Sequence, residues 1–287
     1  MVQKAVFDIA GITYVIEKAP GGAELDVGPS HQHFLSDKEP ALRFRAVDGP
    51  WPSLEGLKKT FDSTSWWSMS EAPGARVVSF FNATPPYEEN RRAVLAPDYR
   101  SGAVYCRNAL DQSFPLNYPL EELIYINVLP SFDGVIIHSC GAGDGNGGYL
   151  FVGVSGAGKS TISKVLMKGT DWKVLSDDRI ILRKMEGGIR MFGTPWHGEV
   201  DVCENMGIPL RRIYFLKKAP RNEAVRWAPA LAATHLIARS FPPFWDADGL
   251  DRTTRLCIDI ATQVPCYELG FVPNASVLDC LAGLKDG

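Results

Sequence analysis

The sequence predicts an α/β fold. Three observations carry that prediction. An apolar strand-like run, Tyr149-Leu-Phe-Val152, leads through a glycine turn into a segment with helical spacing. Short apolar strands and amphipathic helices then follow one another to the end of the chain. Before it, residues 1–115 are a β-rich region of short runs punctuated by Pro, Gly, Ser and Asp, and we place the second domain at 116–287.

In chain order, strands are expected at Ala5–Ile9, Ile12–Ile16, Ala41–Ala46, Val77–Phe81 and Ala93–Leu95. Trp66-Trp67 reads as packing. Leu120, Leu123, Ile124 and Ile126 recur at helical spacing and predict a helix over Pro119–Leu129. Val135–Ile137 and Tyr149–Val152 are two strands, with the glycine-rich stretch Gly141–Gly148 between them read as a hairpin turn. Ile162, Val165 and Leu166 predict a helix over Thr161–Met167. Ile180–Leu182 and Ile189–Phe192 flank Gly187-Gly188 as a second hairpin, and Ile213–Leu216 reads as a buried strand. Helices at Pro229–Arg239 and Leu250–Thr262, a strand at Cys266–Phe271 and a helix at Ala275–Leu284 complete the chain.

The run Gly153-Val-Ser-Gly-Ala-Gly-Lys-Ser-Thr161 fits G-x-x-x-x-G-K-[ST] at every fixed position. Its glycines let successive backbone N–H groups turn inward toward phosphate oxygens. Gly153, Ser155, Gly156, Ala157, Gly158, Lys159, Ser160 and Thr161 are therefore the candidate nucleotide-binding residues. Lys159 supplies a charge for the β- and γ-phosphates and Ser160 a hydroxyl for Mg²⁺. The expected cofactors are ATP and Mg²⁺.

Asp177-Asp178 closes the next apolar run, at the kind of strand end where metal-binding and base carboxylates sit. Neighbouring residues there point opposite ways, so one carboxylate can face Mg²⁺ and the other an attacking hydroxyl. His138, at the end of the first hairpin strand, can orient an aspartate or shuttle a proton. In the tight loop Gly193-Thr-Pro-Trp-His-Gly-Glu199, Glu199 is a second metal carboxylate candidate, with His197 nearby. Arg179, Arg212, Arg221 and Arg226 are candidates for a guanidinium on a transferring phosphoryl group, and the sequence does not choose among them. Phe241-Pro-Pro-Phe-Trp245 reads as a packing loop.

Composition sets the bounds. The 287 residues are 45% hydrophobic and 22% charged, ordinary for a globular protein. A formal net charge of −3 argues against bulk electrostatic binding of nucleic acid, so phosphate affinity is expected to be local. The six cysteines form no C-x-x-C pair and read as free thiols. Met1–Asp8 is broken by charge and reads as no signal peptide, and no apolar stretch approaches the ~18 residues of a membrane span. A cytoplasmic location without membrane partners is expected, and a homo-oligomer stays open.

His138, the Gly153–Thr161 run, Asp177-Asp178 and Glu199 together resemble the catalytic domain of the HPr kinase/phosphorylase family, over about residues 120–285. The Leu-Ser-Asp-Asp and Gly-Thr-Pro-Trp-His-Gly-Glu strings look most like HPr-kinase-like proteins encoded near peptide-modification genes. The resemblance implies a P-loop domain of the HPr kinase/phosphoenolpyruvate-carboxykinase type with a mixed sheet, using Mg²⁺-ATP on a serine hydroxyl. It implies Asp177 as the base, with Lys159 and His138 beside it in the catalytic set. Asp178 would hold Mg²⁺ or pair with His138, and Glu199 would be a further metal ligand beside Ser160. Two features depart from the family. The Glu-x-Arg-Gly-Leu-Gly-type signature is replaced by Gly-Thr-Pro-Trp-His-Gly-Glu, and residues 1–115 look unlike the N-terminal domain of true HPr kinases, so neither HPr as acceptor nor phosphorolysis carries over.

The expected activity is ATP- and Mg²⁺-dependent transfer of a γ-phosphate to a hydroxyl, a serine of a small protein or peptide. A small-molecule alcohol kinase and a non-catalytic ATP-binding regulator are the alternatives.

Overall fold

The computed structural model describes residues 3–19, 24–64, 66–82, 84–107, 113–144 and 146–283. It is mixed α/β and strand-rich, with two mixed sheets and few helices. The chain divides into two compact units, Met1–Val128 and Leu129–Gly287. The helix at Leu120–Val128 belongs to the first of them.

The first unit is an eight-stranded sheet: β1 (Gln3–Ile9), β2 (Ile12–Lys18), β3 (Leu42–Ala46), β4 (Lys58–Asp62), β5 (Trp67–Ala72), β6 (Ala75–Phe81), β7 (Glu89–Leu95) and β8 (Ser101–Cys106). The spatial order is β1-β2-β3-β8-β7-β6-β5-β4, parallel only at β2–β3 and β3–β8. The apolar runs of β1, β2, β3, β6 and β7 are where the sequence places them. β4, β5 and β8 are additional. β4 is almost wholly exposed, so it carries no apolar alternation to read; its Lys and Asp protect an open sheet edge. Trp67 stacks on Phe61 at 4.4 Å, whereas Trp66 is exposed.

A short helix, α1 (Pro29–Gln32), and α2 (Leu120–Val128) meet this sheet through a buried polar cluster. The Glu121 carboxylate accepts from the Tyr14 hydroxyl and lies 2.8 Å from His31 Nε2, while the Tyr125 hydroxyl donates to the Ile12 carbonyl at 2.8 Å. Glu121 is 2% exposed, so its carboxyl must find its partners inside the unit. Burial acts to lower the His31 pKa, but the charge and hydrogen bond of Glu121 outweigh it and the net shift is upward.

The second unit contains β9 (Gly134–Asp144), β10 (Gly147–Val152), β11 (Lys173–Ser176), β12 (Arg179–Met185), β13 (Gly188–Phe192), β14 (Gly207–Lys218), β15 (Glu223–Arg226) and β16 (Cys266–Phe271). Its helices are α3 (Lys159–Gly169), α4 (Pro229–Ile237), α5 (Ala247–Gln263) and α6 (Ser276–Ala282), after a 3₁₀ turn at Leu129–Phe132. β10 lies between β9, antiparallel to it, and β14, parallel to it; β16 is parallel to β14 on the far side. The two long strands serve two sets of neighbours. β9 pairs β12 through Gly134–His138 and β10 and β11 through its later residues. β14 pairs β13 at its start and β10 and β16 farther along.

The apolar runs read as strands because both faces are covered. Along β10, Leu150 and Val152 pack with Leu236, Leu256 and Ile260 of α4 and α5. Phe151 points to the other face, with Ile162 and Leu166 of α3 and Val277 of α6. Each such fully buried aliphatic or Phe side chain contributes about 1.5–3 kcal/mol.

The glycine stretch Gly141–Gly148 is more than the expected hairpin turn: β9 continues through Asp144 and β10 begins at Gly147, while Gly145 lies outside the described residues. The last residue of the expected C-terminal helix, Leu284, also lies outside them. All six cysteines are free. No helix among the described residues is long and apolar enough to cross a membrane.

The His31–Glu121 pair sets a pH dependence for the first unit. His31 binds its proton more tightly when folded, so its stabilisation is fully present below the unfolded value of about 6.5 and is lost as pH rises through the folded one. In urea denaturation, the stability gap between the natural chain and His31→Gln should shrink as pH rises from 6 to 9; a gap that is constant with pH contradicts the coupling.

Candidate active site

The site forms where β10 ends. After Val152 the chain turns through Gly153–Gly158, with a hydrogen bond from Ala157 N–H to the Val154 carbonyl (3.1 Å), and enters α3. Gly158, the residue before the helix, has φ +109°, a conformation side chains rarely adopt. A Cβ there would also come within 2.6 Å of Phe271 Cζ at the end of β16. No side chain caps α3, so its first N–H groups face the turn.

A cleft of about 460 Å³ opens over this turn. Ser155, Gly156, Gly158, Lys159, Ser160 and Thr161 line it, together with His138, Asp177, Asp178, Gly198 and Glu199. Gly153 and Ala157 support the turn without lining the cleft: a Cβ at Gly153 would meet the Ala157 Cβ at 2.7 Å. The glycine turn, Lys159, Ser160, Thr161, His138, Asp177, Asp178 and Glu199 thus belong to one place, beyond the carboxyl ends of parallel strands β10 and β14.

Lys159 is 8% exposed. Its Nζ donates to the carbonyls of Gly153 (3.1 Å) and Val154 (3.3 Å) and lies 3.0 Å from His138 Nε2. Burial lowers its pKa; Asp178 opposes that and Arg179 adds to it. Pairing in β9 and β12 sets Arg179 opposite His138. His138 Nδ1 is 3.1 Å from Asp178 Oδ1, and Arg179 donates to Asp178 Oδ2. Burial works to raise the Asp178 pKa, but the His138 hydrogen bond and the charges of Arg179, His138 and Lys159 hold it below the usual carboxylate range.

The two aspartates have different surroundings. Asp177 is 2% exposed, and its Oδ1 and Oδ2 accept from Gly198 N–H (2.6 Å) and Val200 N–H (2.9 Å). It therefore pins the loop that carries Glu199. The same loop is tied down by Thr194, whose hydroxyl donates to the Arg179 carbonyl (2.7 Å), and by Ser176, whose hydroxyl donates to the Trp196 carbonyl (3.3 Å). The strings Leu-Ser-Asp-Asp and Gly-Thr-Pro-Trp-His-Gly-Glu are thus one hydrogen-bonded assembly.

His197 pairs with Asp201 (3.3 Å) and does not line the cleft. Lys218, which the sequence reading missed, does line it from the end of β14. Its signal was the Lys217-Lys218 pair closing a buried strand next to the glycine turn. Among the described residues, no group of three or more His, Cys, Asp or Glu side chains is placed to hold a metal ion. An oxygen set of one hydroxyl and two carboxylates, Ser160, Asp178 and Glu199, nevertheless faces the cleft. That set fits Mg²⁺, which is usually held by one or two carboxylates and substrate phosphates rather than by a protein cage.

No protein-family model matches the chain, and no curated protein matches it in sequence.

Gly158→Ala tests the turn directly. The strained φ and the approach to Phe271 should cost about 1 kcal/mol or more, read as a lower Tm; an unchanged Tm would show that the turn does not need glycine.

Proposed function

We propose that this protein is an ATP-dependent kinase with a P-loop domain of the HPr kinase type, transferring the γ-phosphate to a hydroxyl, a serine of a small protein or peptide. The observation that carries the reading is the composition of a single cleft: a glycine turn with Lys159 and Ser160, together with Asp177, Asp178, Glu199 and His138.

The residues divide the work as follows. The N–H groups of the turn and of the start of α3, with Lys159 and Lys218, bind and neutralise the phosphates of ATP. Ser160, Asp178 and Glu199 would hold Mg²⁺, which would neutralise phosphate charge when bound. Asp177 takes the acceptor hydroxyl's proton. Two of its roughly four lone-pair sites accept from Gly198 and Val200, which leaves it the capacity to accept another bond. The bond between the acceptor oxygen and γ-phosphorus forms as the bond from that phosphorus to the bridging oxygen breaks, and ADP leaves. His138 lines the cleft and holds Asp178 in place through Nδ1.

The experiment offers radiolabelled ATP and Mg²⁺ with serine-containing peptides and, separately, with small-molecule alcohols. Transfer to peptides but not to alcohols is expected, and transfer should vanish in Lys159→Ala. Asp177→Asn should slow it by roughly 10²–10⁴-fold while ATP still binds. Undiminished transfer by Asp177→Asn removes Asp177 as the base, and tight ATP binding without transfer to any acceptor removes the kinase reading.

A further inference from the structure

Of the four arginines the sequence offers, one stands at the site. Arg212 is buried within β14, with the Tyr149 ring 5.9 Å from its guanidinium. Arg221 pairs with Glu223 in solvent, and Arg226 lies over Tyr267 at 5.9 Å. Arg179 alone reaches the residues of the cleft.

We propose that Arg179 is the positioning residue of this site: seated on the Phe241 ring, its guanidinium clamps Asp178 against His138 and so fixes the tautomer that His138 presents to Lys159. Its consequence for transfer rests on the kinase reading; the clamp itself does not.

With Lys159 charged, the contacts of His138 favour one proton arrangement. Guanidinium and ammonium groups only donate. His138 Nε2 faces the Lys159 ammonium at 3.0 Å, so that nitrogen must offer its lone pair. The ring proton of the neutral imidazole is then on Nδ1. Nδ1 has two neighbours: Asp178 Oδ1 at 3.1 Å and Arg179 NH1 at 3.0 Å. Only the carboxylate can accept, so Nδ1–H donates to Asp178 Oδ1 while Arg179 donates to Oδ2. Asp178 is thereby held at both oxygens.

The seat is fixed as well. The Arg179 guanidinium carbon lies 4.4 Å from the Phe241 ring centroid, within cation–π range. The segment Arg239–Phe241 is strapped along β9: His138 N–H donates to the Arg239 carbonyl (2.8 Å), and Phe241 N–H donates to the Ile136 carbonyl (3.0 Å). The Phe241 ring also stands edge-on to His138, with centroids 6.4 Å apart. The side chain of Arg179 is 16% exposed, so it can hold this pose largely out of water. A lysine there would keep the charge and lose the planar stack.

The test reads His138 directly. In the nucleotide-free full chain, labelled with ¹⁵N-histidine and held above pH 8, the His138 ring nitrogens, assigned by His138→Gln, should report the Nδ1–H tautomer. Arg179→Met should convert that signal to a tautomer mixture, and Arg179→Lys should restore it in part. An Nε2–H tautomer in the natural chain, or a spectrum unchanged by Arg179→Met, overturns the proposal. If Arg179→Met does not fold, Phe241→Leu, which removes the seat and keeps the cation, decides by the same spectrum. In the kinase assay Arg179→Met should lower kcat on the order of 10²-fold with ATP affinity unchanged, as misplacement of a reacting group does. A natural chain that fails to bind ATP and Mg²⁺ sinks the kinase reading, and the histidine spectrum still decides on Arg179.

Discussion

The pairing register of β9 holds the second unit's site together. Val152 of β10 stands opposite Ser139, and Arg179 of β12 stands opposite His138. The first pairing carries His138 just past the end of β10, where the glycine turn begins. The second sets it beside Asp178 and Arg179. One strand therefore joins the turn that ends in Lys159 to the aspartates between β11 and β12. A slip of one residue would send His138 to the other face of the sheet and leave Lys159 and Asp178 without their common partner. Glycines within the strand protect the register by close approach. A Cβ at Gly141 would lie 2.7 Å from Ile180 Cδ1, and one at Gly143 would lie 2.4 Å from the Gly147 carbonyl oxygen. A longer side chain at either place would wedge β9 away from its neighbours.

That use of glycine explains one limit on what the sequence could say. Gly141-Ala-Gly reads locally as a turn, and only the tertiary packing of Ile180 and Gly147 makes it strand. β4 and β15 were missed for another reason. Both are short and largely exposed, so they lack the apolar alternation that marks a strand. The elements that were legible are those whose side chains bury on a face: β10, β14, β16 and the helices α3, α4 and α5 show their period because both faces of the sheet are covered. At the site, the residue types and the glycine pattern were legible. The pairings were not. Nothing in the spacing of Asp177-Asp178 tells that one aspartate would accept two loop amides and the other an imidazole and a guanidinium.

The difference between the aspartates follows from the loop at Gly193–Glu199. Gly198 brings its backbone over the carboxylates so closely that a Cβ would sit 3.1 Å from both Asp177 Oδ2 and Asp178 Cβ. Asp177 is buried, and the two loop amides offset the cost of burying its polar oxygens. Asp178 meets its own cost with side chains, and these are the same side chains that lead back to Lys159. The loop that carries Glu199 and the strand that carries His138 are therefore each anchored on a different member of one dipeptide. Movement of the loop would be felt at Asp177, and movement of β9 at Asp178.

The balance of charge in the cleft bears on what such a site is for. Lys159 and Lys218 line it together with Asp177, Asp178 and Glu199, so its lining holds more carboxyl than ammonium groups, with Arg179 set behind Asp178. A turn that served only to hold phosphate would gain nothing from carboxylates close by: at an effective dielectric of 20, a phosphate charge and a carboxylate about 6 Å apart repel by roughly 3 kcal/mol. The fold does not merely tolerate the two aspartates but fixes them with hydrogen bonds and favours the charged form of Asp178. A divalent cation between phosphate and carboxylate would reverse the sign of that interaction, and an incoming hydroxyl would give a carboxylate a proton to accept. Either need accounts for negative charge that phosphate binding alone opposes, and transfer to a hydroxyl has both.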